Sequence, residues 1–354
     1  MAVCRWGDYG TNGAYGTNVT HVPGLGFDNG LAACYREGES LLPNLEKQSM
    51  TRKLMVTGYG GFVAGSTVWQ ALRDGGWDVY ALSLIESPEK RENFHCIQFD
   101  LCDAGKLKEV FRQVQPDAVV HTAALADIDY CQNNQADAER INVGVTRELA
   151  GLCADAGTKM IVCSTDSVFD GKKGMYTEED EPVAVNFYAE TKVKAEQIVR
   201  DTVPNGVITR LSLVMGLPVL GAGNSFLAKT FDAWKKGEQT KFPENEIRTP
   251  VDVITVGRAF LEISAGDFTG MLHLGCSTRI NRYEMACEIA ERLGYSRDLV
   301  IATDSNAMPG RAPRPNDASL DNAKAKRVLE TPMQTLMSGL DLVLDMKKIQ
   351  EQGG

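Results

Sequence analysis

Tyr188 and Lys192, in the segment Phe-Tyr-Ala-Glu-Thr-Lys, have the residue types and the spacing for proton transfer. Side chains four residues apart share one face of a helix, so the lysine ammonium can lie beside the tyrosine phenol. A phenol ionises near pH ~10, and a neighbouring cation eases its ionisation. The pair therefore predicts acid–base chemistry. Because chance often supplies this spacing, its meaning depends on the elements that precede it.

A glycine-rich turn lies where the first strand is predicted to end and the first helix to begin. Residues 57–65 read Thr-Gly-Tyr-Gly-Gly-Phe-Val-Ala-Gly. Gly58 permits a tight turn, and Gly61 lets a pyrophosphate approach the backbone. Phe62 and Val63 open the helix, whose N-terminus meets the phosphates. In this strand–turn–helix context the motif predicts a dinucleotide site.

Two further segments are expected to contact the dinucleotide. Asp100 and Leu101 follow the third strand, where a carboxylate can accept a hydrogen bond from the adenine amine. Ala123 and Ala124 follow the fourth strand, and their small side chains permit close approach of a cofactor. His121, which ends that strand, is expected to be a packed histidine rather than a catalyst.

The identity of the cofactor depends on the end of the second strand. A carboxylate there would bind the ribose 2′-hydroxyl of NAD. Residues 81–85 read Ala-Leu-Ser-Leu-Ile, and Glu86, Lys90 and Arg91 come later. The cofactor is therefore expected to be NADP(H) or NAD(H), with a slight preference for NADPH.

Alternating strands and helices position these residues. The predicted strands are short apolar runs at 54–57, 79–82, 96–99, 118–121, 160–164 and 207–211, and helical patterns lie between them at 62–74, 105–113, 137–156 and 187–202. Such runs indicate a parallel sheet that helices cover on both faces. We therefore expect an α/β, doubly wound Rossmann fold.

The chain divides into three predicted regions. Residues 1–49 are expected to be an irregular, glycine-rich extension, and 50–212 the NAD(P)-binding domain. Residues 213–354, where the alternation loosens, are expected to form a smaller mixed α/β substrate lobe. Part of 250–276 is expected to return to the sheet, and the pocket between the lobes is the predicted substrate site.

Composition narrows the classes of function. A net charge of −10 over 354 residues argues against a nucleic-acid or anionic-membrane surface. No apolar run approaches the ~20 residues that span a membrane, and the N-terminus lacks a secretory signal. Nine cysteines without a C-x-x-C pair, and four isolated histidines, indicate a reducing cytoplasm and no metal site. A homodimer is left open.

This ordered set of motifs resembles the extended short-chain dehydrogenase/reductase family over about residues 51–330. Within it, Ser-Thr-Asp-Ser-Val-Phe-Asp-Gly at 164–171 is most similar to the dTDP-4-dehydrorhamnose reductase subgroup. The resemblance implies that Thr165, Tyr188 and Lys192 form a catalytic triad, with Asn142 supporting a proton relay.

The same resemblance implies substrate ligands. The segment that ends at Asp129, and Arg314 before a proline, fit the subgroup. Arg248 and Arg314 align with positions that often bind phosphate in related enzymes, and guanidinium groups suit phosphate oxygens. Arg311 is a weaker candidate. The implied substrate is a nucleotide-linked 4-keto sugar, which NAD(P)H reduces while Tyr188 protonates the oxygen.

Two other functions stay open. One is epimerisation of a nucleotide sugar by the same family, and the other is a non-catalytic NADP-binding regulatory subunit, resembling that of methionine adenosyltransferase. Ser167 stands where dehydratases of the family have a glutamate, which argues against dehydration. Leu213 and Met215 replace an aromatic pair of the rhamnose-pathway reductases, so the sugar itself is not predicted.

Overall fold

The computed structural model describes residues 51–220, 225–307 and 310–352. The predicted irregular extension, residues 1–49, lies outside the described residues. The strands are, in chain order, β1 (Arg52–Thr57), β2 (Trp77–Ser83), β3 (Phe94–Gln98), β4 (Ala118–His121), β5 (Lys159–Thr165), β6 (Gly206–Leu211), β7 (Val214–Met215), β8 (Thr240–Pro243), β9 (Ile247–Arg248), β10 (Val251–Asp252), β11 (Gly270–Leu274), β12 (Ile280–Asn281) and β13 (Val300–Thr303).

Helices separate most of these strands. They are α1 (Phe62–Asp74), α2 (Ala104–Val114), α3 (Ile128–Asn133), α4 (Gln135–Ala138), α5 (Val145–Ala156), α6 (Phe187–Thr202), α7 (Phe226–Lys235), α8 (Val253–Ala265), α9 (Arg282–Arg292), α10 (Ala323–Val328) and α11 (Leu336–Gln352). A π-helix (Glu139–Gly144) and 3-10 turns at Asp166–Val168, Arg297–Leu299 and Ser305–Ala307 complete the helical elements of the described ranges.

A seven-stranded parallel sheet has the order β11-β6-β5-β4-β1-β2-β3. Successive residues of β1 pack on opposite faces: Leu54 and Val56 join a cluster with α1 and α8, whereas Met55 joins one with α2 and α5. Because helices cover both faces, the central strand β4 is buried along its whole length and does not alternate. The prediction of a doubly wound Rossmann fold is confirmed.

One predicted helix is interrupted. The pattern over 137–156 predicted a continuous α-helix, but α4 ends at Ala138, the π-helix follows, and α5 begins at Val145. Such a bulge inserts an extra residue into the turn and is often found at functional sites. Here the bulge contains Asn142. Periodicity does not reveal it, because the apolar positions on either side keep a helical spacing.

The C-terminal part of the chain forms a second apolar cluster and also contributes to the main sheet. Trp234, Phe242, Met285 and Leu340 are buried together in that cluster, while β11 pairs in parallel with β6. The division into a cofactor domain and a substrate lobe stays a prediction. Over the described ranges, no helix is both long enough and apolar enough to cross a bilayer.

The turn between β1 and α1 brings its backbone very close to the segment after β4. Gly58 has a φ of +76°, and a Cβ atom there would lie 2.9 Å from the backbone of Ala123. At Gly61 a Cβ atom would lie 2.9 Å from the carbonyl oxygen of Gly58. Only glycine fits both positions, so the sequence leaves a cradle of bare backbone at the start of α1.

Gly58→Ala is expected to weaken NADPH binding about tenfold or more, equivalent to at least about 1.4 kcal/mol. The added methyl group pushes against Ala123 and widens the cradle. Gly75→Ala is the matched control, because Gly75 has the same φ of +76° but open space around it. The control should lower the melting temperature and leave NADPH affinity, measured by fluorescence titration, unchanged. Equal affinity losses in the two variants would contradict the proposed cradle.

Candidate active site

Three of the four predicted catalytic residues, Thr165, Tyr188 and Lys192, lie at the carboxyl edge of the sheet. His121 and Thr165 end β4 and β5, and Thr57 ends β1, the next strand in the sheet. The strand order reverses between β1 and β4, where open α/β sheets bind their ligands. Helix α6 carries Tyr188 and Lys192, and it packs against β5 and β6.

Tyr188 lies in the first turn of α6 and is half-buried. Burial raises the pKa of its phenol above the ordinary value, and the neighbouring Cys163 and Cys131 raise it further, as does Asp166. The Thr165 hydroxyl hydrogen-bonds to the phenol and acts in the opposite direction. The phenol therefore keeps its proton at neutral pH, which suits a proton donor.

Lys192 lies one turn further along α6, and only 4% of the residue is exposed. Among the described residues its ammonium has no hydrogen-bond or ion-pair partner. Burial lowers its pKa, while Cys163 and Glu196 raise it. The sequence led us to expect that Lys192 would ease the ionisation of Tyr188, but burial dominates and the pKa of Tyr188 rises instead.

The Thr165 hydroxyl has three contacts, one of which is the hydrogen bond that it donates to Asp166 Oδ1 at 3.4 Å. It accepts a hydrogen bond from the Ser167 N–H at 3.2 Å, which caps the 3-10 turn after β5. It also hydrogen-bonds to Tyr188. The structure thus brings Thr165 and Tyr188 together, with Lys192 one turn away.

Asn142 does not contact the other three predicted catalytic residues with its side chain. Its amide oxygen accepts from the Leu125 N–H at 2.7 Å, and its amide nitrogen donates to Leu125 O at 3.1 Å. The same nitrogen donates to Thr191 Oγ1 on α6 at 3.0 Å. The side chain therefore braces the segment after β4 against α6, and its contacts do not support the predicted part in a proton relay.

His121 lies in a chain of hydrogen bonds that joins β1, β4 and the π-helix. Thr146 Oγ1 donates to the carbonyl oxygen of Asn142 at 2.7 Å, so it accepts from His121 Nε2 at 3.0 Å. His121 Nδ1 then accepts from Thr57 Oγ1 at 2.8 Å. Burial, together with Lys192, lowers the pKa of His121 to about 3. It is thus a neutral, packed histidine, as the sequence indicated.

The other predicted cofactor residues line the same edge. Gly61 caps α1 without a side chain, so the amides that Phe62 and Val63 contribute face no capping group. Ala123 is half-buried, and its N–H donates to Thr57 Oγ1 at 3.3 Å. Ala124 is half-buried beside it. None of these contacts fills the backbone cradle that is predicted to bind the phosphates.

At the far edge, Asp100 is exposed and its carboxylate accepts from the Cys102 N–H at 2.9 Å. Leu101 packs against the apolar cluster under α2 and α5. The carboxylate is thus partly used by a local turn, while its exposed side faces solvent. Its predicted contact with adenine stays a prediction.

Arg248, a predicted phosphate ligand, is held in the interior by backbone carbonyls. The residue is 5% exposed, and its guanidinium donates to Ile247 O at 2.7 Å, Asn316 O at 3.0 Å and Pro315 O at 3.1 Å. Its Nε lies 3.4 Å from the buried carboxylate of Asp166. These partners take up most of its donors and hold β9 against the segment that contains Pro315, so a phosphate role for Arg248 stays a prediction that its contacts do not favour.

Asp129 and Arg314, both predicted substrate ligands, bind each other. Arg314 Nη1 and Nη2 lie 2.6 and 2.8 Å from the two carboxylate oxygens of Asp129, and the Ala312 N–H donates to the same carboxylate at 2.8 Å. The hydrogen bond from Arg314 lowers the pKa of Asp129. The pair ties α3 to the segment after residue 310, so a substrate role for either residue stays a prediction.

Two arginines face the carboxylate of Glu246, and the sequence indicated only one of them, Arg311. Arg282 Nη1 and Arg311 Nη1 lie 3.2 and 3.3 Å from the two oxygens of the Glu246 carboxylate, and each arginine side chain is 21% exposed. Burial raises the pKa of Glu246, but the arginines around it outweigh burial and lower it. Two guanidinium groups on one carboxylate leave an excess positive charge. Arg282 begins α9 without any motif that could have indicated it.

Residues 52–349 match a family model described as the RmlD substrate binding domain. The chain belongs to this family. The predicted membership in the extended short-chain dehydrogenase/reductase group, most similar to the dTDP-4-dehydrorhamnose reductases, is confirmed by the match. No group of three or more His, Cys, Asp or Glu side chains in the described ranges is arranged to hold a metal ion.

Relatives of the RmlD family cover nearly the whole described chain. The chain is 28% identical over 291 residues to the probable low-salt glycan biosynthesis reductase Agl14 of Haloferax volcanii, covering 80% of this chain and 95% of that protein. It is also 28% identical over 307 residues to methionine adenosyltransferase 2 subunit beta of Pongo abelii, covering 85% and 89%.

Among solved structures, a dTDP-4-dehydrorhamnose reductase from Bacillus anthracis in complex with NADP is similar, with a TM-score of 0.73 and 20% identity. The match covers 84% of this chain and 100% of that chain. At this identity the likeness establishes the fold. With the family match, it confirms the prediction of an NAD(P)-dependent oxidoreductase scaffold.

The buried neutral His121 makes stability depend on pH. The unfolded chain takes up a proton near pH 6.5, but the folded chain does so only at about pH 3, so stability falls as the pH drops through 6.5. Between pH 7.5 and 5 this costs about 2 kcal/mol. His121→Gln should therefore lose about 2 kcal/mol less than wild type over that interval, as measured by urea unfolding. Equal losses would show that folded His121 is protonated.

Proposed function

We propose that this protein catalyses the NAD(P)H-dependent reduction of a nucleotide-linked 4-keto sugar, with Tyr188 as the proton donor. The observation that carries the proposal is the protonated Tyr188, which contacts Thr165 and lies one turn from a buried Lys192 ammonium. These groups stand where the strand order of the sheet reverses, beside a cradle of bare backbone.

The residues present fit a nicotinamide dinucleotide. The glycine cradle at Gly58 and Gly61 has room for phosphates because no Cβ atom occupies it. The Lys192 ammonium, buried without a partner among the described residues, requires oxygen acceptors, which ribose hydroxyls would supply. When bound, the cofactor supplies the hydride that adds to the keto carbon.

The protein's own groups handle the proton. Tyr188 donates its phenolic proton to the oxygen of the carbon that receives the hydride, and the product is an alcohol. Thr165, which already contacts the phenol, hydrogen-bonds to the same oxygen. Because Tyr188 is half-buried rather than sealed, solvent can return the proton to it without a relay through the Asn142 side chain.

NADPH is the favoured cofactor. Ser83, at the end of β2, is 4% exposed and already donates to Tyr59 O at 2.9 Å and accepts from the Ile85 N–H at 3.1 Å. It therefore offers no carboxylate and little free capacity to the 2′-hydroxyl of NAD. A cavity of about 400 Å³ is lined by Lys90 and Arg91 together with three glutamates, and Arg91 is paired with Glu89, so the preference for NADPH rests on the missing carboxylate at Ser83.

The substrate class is inferred from charge and from the relatives. Arg282 and Arg311 concentrate positive charge around the single carboxylate of Glu246, and Arg282 Nε is buried with no hydrogen-bond partner among the described residues. A diphosphate would satisfy such a site. The similarity to a glycan biosynthesis reductase and to a dTDP-4-dehydrorhamnose reductase supports the same class of substrate.

The carboxylate after Thr165 is not available as a base for dehydration. Asp166 is 4% exposed, and it accepts hydrogen bonds from Ser212 Oγ and Ser167 Oγ at 3.1 and 3.2 Å. Arg248 lies against it. The buried Ser167 replaces the glutamate that dehydratases of this group use. The site therefore favours reduction over elimination.

A regulatory subunit is the second candidate, because methionine adenosyltransferase 2 subunit beta matches this chain at the same identity as Agl14. That role requires the dinucleotide site and no proton donor. The contact between Thr165 and Tyr188, with Lys192 one turn away on the same helix, favours the enzyme. Measurement of NADPH oxidation distinguishes the reductase from the regulatory subunit.

Tyr188→Phe is expected to lower the rate of NADPH oxidation by about 100- to 10,000-fold, because it removes the proton donor. The measurement is the absorbance of NADPH with a panel of 4-keto nucleotide sugars. NADPH affinity should stay within about threefold of wild type, since the phenol ring is retained. Tyr80→Phe is the matched control, because it removes a phenol that donates to Asp78 on β2.

The other functions give different outcomes. NADPH binding without oxidation across the panel would favour the regulatory subunit, and isomerisation without net consumption of NADPH would favour an epimerase. Oxidation by Tyr188→Phe as fast as by wild type would show that Tyr188 is not the donor.

Arg311→Gln is expected to raise the KM for the nucleotide sugar about 10- to 100-fold with little change in kcat, because it removes a charge-assisted contact with the diphosphate. Arg248→Gln is the contrasting variant. It should mainly lower the melting temperature, since Arg248 binds backbone carbonyls in the interior. A raised KM with an unchanged melting temperature in Arg248→Gln would reverse this assignment of the two arginines.

A further inference from the structure

A buried ion pair lies directly behind the catalytic side chains. Arg210 on β6 and Glu196 on α6 have side chains that are 1% and 2% exposed. Two parallel hydrogen bonds join them, Nε to Oε1 at 3.0 Å and Nη2 to Oε2 at 2.8 Å. This fork geometry fixes both the distance and the orientation of the two groups.

The same carboxylate reaches the strand that carries Thr165. Ser164, the residue before Thr165, donates its hydroxyl to Glu196 Oε1 at 2.5 Å. Glu196 follows Lys192 by one turn of α6, on the same helix face. One buried carboxylate therefore joins the helix that carries Lys192 to two neighbouring strands, β5 and β6.

Arg210 is itself held from its other side. Its guanidinium lies over the ring of Phe169 at 4.9 Å from the centroid, and Nη1 lies 3.4 Å from His273 Nε2. His273 Nδ1 donates to the carbonyl oxygen of Tyr176 at 3.0 Å, so Nε2 presents a lone pair to the guanidinium. Burial and Arg210 lower the pKa of His273 to about 3, which keeps it neutral. The ion pair therefore cannot shift without breaking several contacts.

We propose that Glu196, held by Arg210 and Ser164, is a positioning residue for Lys192: it fixes α6 against β5 and supplies the negative charge that keeps the buried ammonium protonated. The inference rests on the proposed function for the hydride step, but its first readout is cofactor binding alone.

The groups around Lys192 make Glu196 the source of this charge. His121 of β4, Cys163 of β5, and Tyr188 and Glu196 of α6 are the titratable groups that face it or share its helix face. His121 is neutral, and burial raises the pKa of both Cys163 and Tyr188. Glu196 is the carboxylate of this set. Against the lowering of the Lys192 pKa by burial, Glu196 acts to raise it.

The test is the pH dependence of NADPH affinity in variants of the full chain. Glu196→Gln alone leaves Arg210 buried and unpaired, which can prevent folding. The double variant Glu196→Gln, Arg210→Met removes both charges and replaces the guanidinium with an apolar side chain of similar length. Lys192→Met serves as the reference. It lacks the ammonium, so its NADPH affinity should show no fall at alkaline pH due to loss of the Lys192 proton.

We expect the wild-type affinity for NADPH to fall at alkaline pH as Lys192 loses its proton. In the double variant this fall should occur about one pH unit lower, so that the variant binds NADPH up to about tenfold more weakly than wild type at pH values where Lys192 is deprotonated in both proteins, and about equally well where it is protonated in both. The value of kcat/KM for the nucleotide sugar should shift in the same direction.

A folded double variant with the wild-type pH profile would overturn the proposal, because a purely structural ion pair predicts that result. Failure of the proposed function looks different: the pH profile of NADPH binding would shift as expected while wild type oxidised no NADPH with any sugar of the panel. A wild type that bound neither NADPH nor NADH would overturn both.

Discussion

The cost of burying a charged ammonium organises much of this site. Lys192 is almost fully enclosed, and within the described residues it has no direct partner. Such a group is stable only where nearby charge compensates for lost hydration. The surrounding elements meet that need at a distance: a neutral histidine on one side avoids repulsion, and the carboxylate of Glu196 one turn below provides attraction. Glu196 thus opposes the lowering of the Lys192 pKa by burial, and the ammonium is left open to a ligand's oxygens.

The sequence was sufficient for the elements whose function depends on local geometry. Gly58 and Gly61 identify the cradle because only residues without a side chain fit there, and α6 was predicted at 187–202 from its periodicity, as observed. Tyr188 and Lys192 share a helix face by spacing alone. These features depend on neighbours in the chain, so a pattern of residues can report them.

Contacts between distant parts of the chain could not be predicted in this way. Arg248 and Arg314 carry the chemistry of phosphate ligands, yet one is occupied by backbone carbonyls and the other by Asp129. The sequence shows which acceptors a guanidinium can bind, but the packing of the fold determines which of them lies within hydrogen-bond distance. The same reason applies to Asn142, whose amide is used by Leu125, and to Arg282, whose partner Glu246 lies on another element.

The segment from Ala312 to Asn316 has a consequence for synthesis of the protein. Asp129 binds Arg314, Asn186 donates to the carbonyl oxygen of Pro313, and Arg248 donates to those of Pro315 and Asn316. This segment emerges from the ribosome long after the glycine turn and α6, and chains fold progressively from the N-terminal side. The glycine turn and α6 can therefore form on a nascent chain before the segment that joins α3, α6 and β9 has been made. A growing polypeptide would therefore complete its backbone cradle before it makes these long-range contacts.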